Sequence, residues 1–261
     1  MNFIFALQKR EFDTISLMSI KKIVLMTAML SALSAKTWAG PFNEFSSQIQ
    51  AQALKPFALD IGGVLGGAEF DPTPPDGFPG FSLGLVGVVQ SHPDTNDVVL
   101  KNSGVKGFGV PMVQGTLGLP FHLDVVAHGF SYDGATVLGG GLRYGLFTPS
   151  RLLLFLPTVE VSAMGDMIND SAFTMTHLSG DISAIWRLPI IQPFIGAGFD
   201  DTKATIDSAQ VPGLTGLSAT ATGSRLAAGI DITPFPFVDL RAAYMLFHGI
   251  PGGSITIGVG F

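Results

Sequence analysis

The chain has no cysteine, which excludes disulfide staples, thiol catalysis and a lipidated N-terminal cysteine in one step. Charge is also scarce, at 13% of 261 residues, and Tyr and Trp number only three and two. No segment after the N-terminal leader holds eighteen consecutive apolar residues, so helical membrane spans are not expected. What is abundant is glycine, with 33 residues, and phenylalanine, with 21, at a mean hydropathy of +0.45. A chain this apolar and this rich in turn formers does not fit an ordinary water-soluble domain.

Lys21 and Lys22 precede the apolar run 23–35, and Thr37-Trp38-Ala39 offers small residues at the cleavage-determining positions. These are the three parts of a secretory signal peptide, so residues 1–39 are expected to be a cleaved leader, with a mature start near Gly40. Met18 reads as a more natural start than Met1, so residues 1–17 are expected to be an over-extended gene start or an elongated leader. The leader carries five of the 14 basic and two of the 20 acidic residues, leaving 9 and 18, a mature net charge of −9. That balance argues against nucleic acid as a partner.

Residues 42–54 place Phe42, Phe45, Ile49 and Ala53 at helical spacing, so a short amphipathic helix ended by Pro56 is expected, in the periplasm or as a plug. From Phe57 the period changes to two. Phe57, Leu59 and Ile61 alternate with Ala58, Asp60 and Gly62, and Phe81, Leu83, Leu85 and Val89 alternate with Ser82, Gly84 and Gln90. The same alternation recurs through 113–127, 138–146, 158–163, 178–186, 226–232 and 238–246. In 194–199 both faces are apolar or Gly, so the register there stays open.

The last strand, Ser254 to Phe261, sets Ile255, Ile257, Val259 and Phe261 on one face and Thr256, Gly258 and Gly260 on the other. It resembles the closing strand of bacterial outer-membrane β-barrels, in which a terminal Phe is read by the assembly machinery. Short Pro-containing turns alternate with longer polar loops at 91–110, 131–135, 165–172, 200–223 and 247–253, as periplasmic turns and external loops do. The expected fold is all-β, an antiparallel transmembrane up-and-down β-barrel over 57–261, after a helical or plug segment over 40–56. Eleven strands are counted and single-chain bacterial barrels have an even number. Ten follow if 57–65 is a lead-in; twelve, the preferred count, if a strand hides in 44–54 or 96–101.

The runs Pro79 to Leu85, Gly118 to Val125, Gly139 to Tyr144 and Pro193 to Gly198 resemble a family of Gram-negative outer-membrane proteins of unassigned function, over roughly residues 55–261. A weaker likeness is to long-chain fatty acid transport barrels. The resemblance implies residence in the bacterial outer membrane, with lipid, lipopolysaccharide and the barrel assembly machinery as partners, and sets no oligomeric state.

Polar residues on the inward faces form the candidate lumen network: His122, Asp124, His128, Arg143, Glu160, His177, Asp181, Arg225, Asp239 and Arg241. Arg143 and Glu160 face inward on consecutive strands and are expected to pair. His122, Asp124 and His128 share a face that could bind a metal, and Ser162, Ser179 or Ser183 could be paired with His177 or His128 as a hydrolase. Neither set has a selecting motif, so no enzyme, metal or cofactor is expected. Asp200, Asp201 and Asp207 read as a solvated external loop. The leading functional expectation is a small pore or transporter for small or apolar solutes. The alternative is a structural or adhesive barrel with a filled lumen.

Overall fold

The protein was described from a computed structural model covering residues 42, 45–73, 77–132, 134–149 and 155–260. The expectations for the leader and for Phe261 lie outside these residues. Ten antiparallel strands close into a barrel: β1 (Gly80–Gln90), β2 (Phe108–Leu119), β3 (Leu123–Tyr132), β4 (Ala135–Phe147), β5 (Thr158–Asn169), β6 (Phe173–Ile185), β7 (Ile191–Ile206), β8 (Ser218–Phe235), β9 (Val238–Phe247) and β10 (Ile250–Gly260). Each pairs with its chain neighbour, and β10 closes on β1 with Leu85 opposite Ile257 and Gly87 opposite Ile255. Closure leaves no sheet edge unpaired, as a hydrocarbon surround demands.

The strand count corrects the twelve preferred from sequence. Residues 96–101 hide no strand, because Asp97 caps a short helix, Val98–Asn102, by accepting from Leu100 N at 3.0 Å. Residues 45–48 form one helical turn, α1 (Phe45–Gln48), followed by a 3-10 turn at Ala51–Ala53. The 57–65 segment is no strand either. It belongs to α2 (Leu54–Glu69), 16 residues long, and the helix at 98–102 is therefore α3. Pro56 does not end a helix but sits in the first turn of α2, where its missing N–H has no intrahelical partner to lose.

Why α2 is helical is a matter of its surroundings. Phe57, Ile61, Val64, Leu65 and Ala68 recur at helical spacing and are all buried, although Phe57, Leu59 and Ile61 also satisfy a period of two. The four glycines at 62, 63, 66 and 67 would each cost about 0.8–1.0 kcal/mol relative to Ala in an isolated helix. Here they form bare ridges one turn apart that let the backbone approach the wall. A Cβ on Gly62 would collide with Thr202, on Gly63 with His248, on Gly66 with Arg225, and on Gly67 with Phe247. From Asp60 to Glu69 every residue of α2 is buried, as in a helix that lies inside a core and not on a surface.

The strands alternate as a membrane barrel requires. Leu138, Leu142, Tyr144, Leu178, Ile182, Ile195, Phe199, Leu226, Ile230 and Ile255 stand exposed on the outside, while their neighbours in sequence turn inward. The open register at 194–199 resolves with Phe194, Gly196 and Gly198 inward. Phe194 packs against Phe70 just beyond α2, ring centroids 6.2 Å apart, and Gly196 leaves the space that Phe70 fills. Strands β7 and β8 run farther than expected, so Asp200 lies on a strand and the connection between them shrinks to 207–217.

Candidate functional site

The helix α2 enters the lumen from the end that carries the longer connections. There Phe57 packs with Phe45 and Phe173, ring centroids 4.9 and 5.3 Å away. It leaves toward the end where β1 begins. Along the way the inner segment offers three acidic side chains, Asp60, Glu69 and Asp71, and each meets its own set of wall residues. Together they bind the plug to the barrel.

At the loop end, Asp60 is fully buried on α2. Gln90 donates to its Oδ1 at 2.7 Å, the Asp94 N–H donates to its Oδ2 at 2.8 Å, and His248 Nε2 lies 3.5 Å away. The β1–β2 connection is thereby folded onto the helix. Burial pushes the neighbouring Asp97 carboxyl up to about 8, the negative charge of Asp60 adding to the effect.

At the opposite end, Asp71 is gripped by two guanidinium groups. Arg143 Nη1 donates to its Oδ2 at 2.9 Å, Arg241 Nη1 donates to its Oδ1, and Gln114 Nε2 donates to Oδ2 at 2.7 Å. Arg143 also donates to Asp124 Oδ2 at 2.8 Å, and Arg241 to Asp231 Oδ2 at 2.9 Å. Each arginine thus bridges a wall carboxylate and the plug carboxylate. A charge-assisted network of this kind, enclosed by protein, is costly to break on one side only.

Between the two ends, one row of directly opposed wall residues runs from β3 to β7. His128 faces Gly139, Gly139 faces Asp166, Asp166 faces His177, and His177 faces Thr202. Gly139 is essential to this row, because a Cβ there would occupy the place of the Asp166 carboxylate. Across the gap, His128 Nε2 and Asp166 Oδ1 meet at 2.5 Å. His177 Nδ1 and the Thr202 hydroxyl are 2.8 Å apart. Glu69 of α2 comes down onto this row, accepting from Ser179 Oγ and lying 3.6 Å from His128 and 3.7 Å from His177. One row along, Gly198 plays the same part as Gly139, letting Arg225 reach Asp181 at 2.5 Å while it also holds Asp200.

The structure therefore sorts the sequence-derived network. Asp124, His128, Arg143, Glu160, His177, Asp181, Arg225 and Arg241 are all buried in the lumen. Asp239 is partly buried beside a cavity of about 60 Å³ that Asp71 and Arg241 also line. His122 does not belong: it is exposed in the β2–β3 turn with φ of 60°, so it cannot join Asp124 and His128. The expected Arg143–Glu160 pair is not a direct one. Arg143 stands opposite Asp124 and Ser162, whereas Glu160 stands opposite Gly145 and accepts from Ser183 at 3.0 Å. A bulge between Gly145 and Phe147 interrupts the β4–β5 register there. Each candidate serine takes a carboxylate as partner: Ser162 donates to Asp181, Ser179 to Glu69 and Ser183 to Glu160. The acidic trio of the supposed external loop is split, because Asp200 points inward and is buried while Asp201 is exposed.

Asp60, Glu69, Asp71, Gln90, Gln114, Asp166 and Asp231 did not stand out from the sequence. Asp60 falls in a run whose alternation reads as a strand, and Asp166 in a polar stretch that belongs to β5. The usable signal was glycine: Gly139 and Gly198 occupy inward positions where flanking acidic and basic side chains need room to meet.

No family profile matches the chain, and no curated protein matches it. Among solved structures it is similar to the N-terminal β-barrel domain of Pseudomonas aeruginosa OprF, at 12% identity over 72% of this chain and all of that one, TM-score 0.36. It is similar to the translocator domain of the autotransporter NalP from Neisseria meningitidis, at 12% identity over 82% of this chain and 99% of that one, TM-score 0.40. Neisserial surface protein A is matched at 12% identity over 69% of this chain and 95% of that one, TM-score 0.30. The likeness to fatty acid transport barrels finds no support in these comparisons. A closed ten-strand antiparallel barrel, apolar outside and polar inside, is the architecture of a bacterial outer-membrane protein.

Proposed function

We propose that this protein is a plugged outer-membrane barrel that serves as an anchor, presenting its loop end outside the cell, and not a standing pore. The observation that carries this reading is α2, buried along the lumen and fastened by Asp60, Glu69 and Asp71 to the wall. A barrel of ten strands has little bore to begin with, and a helix of about 10 Å diameter takes up most of it. The alternative of a structural or adhesive barrel is thus favoured over the pore or transporter. Further support comes from the loop end itself, where α1, α3 and the 207–217 connection gather. The Ser46 hydroxyl donates to Ser208 O at 3.2 Å and Gln210 N donates to Ser46 O at 2.9 Å, so the segment ahead of α2 and a long loop form one surface. Val211 and Leu217 stand exposed on it. Lipopolysaccharide and outer-leaflet lipid would surround this end, and the assembly machinery would act on the closing strand.

Single-channel recording in planar bilayers tests the reading. The full mature protein should give no steady conductance, and a variant lacking residues 45–73 should conduct. Steady, ion-selective conductance by the full protein would overturn it in favour of the pore.

A further inference from the structure

We propose that Glu69, Asp166 and His177 form a binding site for a divalent first-row transition metal ion, of the zinc class, that ties the plug helix to the barrel wall. A carboxylate oxygen of Glu69, a carboxylate oxygen of Asp166 and a ring nitrogen of His177 all lie within 4.8 Å of one another. All three side chains are buried, and they come from α2, β5 and β6, so the fold and not a local motif assembles them.

Clustering alone would not suggest a ligand; the state of the donor atoms does. The Nε2 of His177 is buried with no hydrogen-bond partner among the described residues, and it is aimed at oxygens of Asp200 and Glu69, 3.5 and 3.7 Å away. Its other nitrogen faces the Thr202 hydroxyl at 2.8 Å. When Nδ1–H donates to that hydroxyl, the Nε2 lone pair points at carboxylates, an arrangement that calls for a cation between them. This is also how metal-binding histidines are commonly oriented, one nitrogen held by an outer partner and the other free for the ion. Glu69 Oε1 and Asp166 Oδ2 are likewise buried without a donor among the described residues. The outer partners of both carboxylates are in place: Ser179 Oγ donates to Glu69 Oε2, and His128 Nε2 contacts Asp166 Oδ1 at 2.5 Å.

Charge points the same way. Glu69, Asp166, Asp181 and Asp200 surround this level of the lumen, and Arg225, which holds Asp181 and Asp200, is the guanidinium that faces them. A divalent ion would offset most of the remainder. One imidazole and two carboxylates suit zinc, manganese or iron better than calcium or magnesium, which take oxygen ligands in larger number. Metal bonds of about 2.0–2.2 Å require donors closer together than they lie here, so the side chains would draw inward on binding.

The inference rests on the same placement of α2 as the filled-lumen reading. Metal content is measured in detergent without reference to conductance, so either can fail alone. The test is elemental analysis of the purified full-length mature protein, followed by chelation and re-addition of Zn²⁺ or Co²⁺ with thermal unfolding and visible absorption as readouts. Heat-modifiable gel migration confirms that each sample is folded. One equivalent of metal is expected, with an unfolding midpoint raised by roughly 5–10 °C at metal a hundredfold above Kd. Co²⁺ should develop a d–d absorption band. His177→Gln should lose all three effects. Glu69→Gln, which keeps the size and the Ser179 contact, should lose them too and guards against a misfolded histidine variant. Glu160→Gln, a buried carboxyl outside the set, should keep them. Absence of stoichiometric metal and of any shift in the unmodified protein would mean that a shared proton joins the carboxylates, and would overturn the proposal. So would a shift that persists in both ligand variants, or one produced by Ca²⁺ or Mg²⁺ alone.

Discussion

Arg143 on β4 reaches across the lumen to Asp71, its Nη1 lying 2.9 Å from Oδ2, and joins residues 72 positions apart in the chain. The same guanidinium donates through Nε and Nη2 to Asp124 on β3, at 3.0 and 2.8 Å. One side chain therefore locks wall to wall and wall to plug.

Removing Asp71 should take one of two carboxylate partners from each of Arg143 and Arg241, leaving Asp124 and Asp231, in an enclosed lumen. Asp71→Ala is expected to cost about 3 kcal/mol, the low end of the range for breaking a buried ion pair, because each arginine keeps one partner. Arg143→Ala should cost a similar amount, and the double variant less than the sum of the two. Thermal unfolding in detergent across this cycle checks it. Small additive effects would mean that the lumen is wet enough to screen the pair.

The glycine ridges of α2 make a second test. Gly66→Leu would drive a side chain into Arg225 and Asp200, so either the helix shifts or the wall yields. Overpacking of this kind costs about 1–3 kcal/mol, and because the strands are held by a closed ladder while α2 is held by side chains, the expected result is partial displacement of the plug. Conductance should appear in bilayers, in contrast to the silence expected of the unmodified protein. Gly84→Ala, whose added methyl meets nothing closer than 3.7 Å, should stay silent.

The loop end that carries the β1–β2 connection should respond to pH through Asp97. Its carboxyl is pushed up to about 8, above its value in the unfolded chain, chiefly by burial. The folded state then binds the proton more tightly. That stabilisation is complete below the usual carboxylate range and is lost as pH rises through about 8. Hydrogen exchange over residues 92–107 should show stronger protection at pH 6 than at pH 9. Asp97→Asn, which keeps an N-cap side chain, should flatten the dependence.

The sequence displayed the wall far better than the plug. Period-two alternation is a property of each strand alone, so Phe81 to Val89 or Leu178 to Trp186 could be assigned without knowing their neighbours. Residues 57–65 could not, since Phe57, Leu59 and Ile61 satisfy a strand face as well as Phe57, Ile61 and Leu65 satisfy a helix face. Only the surrounding barrel, which tolerates Gly62 and Gly66 against Thr202 and Arg225, decides between them. The lumen network was legible as inward polar positions. Its pairings were not, because Asp71 arrives from a segment whose course the strand pattern does not specify, and it takes Arg143 away from Glu160.

The closing strand offers the most direct test that this barrel lives in lipid. Ile255 sits midway along β10, opposite Gly87 of β1 and Ala242 of β9, with 64% of its surface exposed on the outer face. In water such a residue would be an ordinary surface isoleucine and tolerant of charge. In a bilayer it faces hydrocarbon, where Arg at the midplane costs roughly 2–4 kcal/mol in a barrel. The adjacent Thr256 turns inward and is buried, so a change there tests packing and not lipid contact. Ile255→Arg should lower the amount of heat-modifiable, membrane-integrated protein, while Thr256→Ser should leave it near the unmodified level. Fractionation of the outer membrane followed by unheated gel migration reads both. Equal, undiminished integration of the two variants would mean that the outer face does not meet lipid.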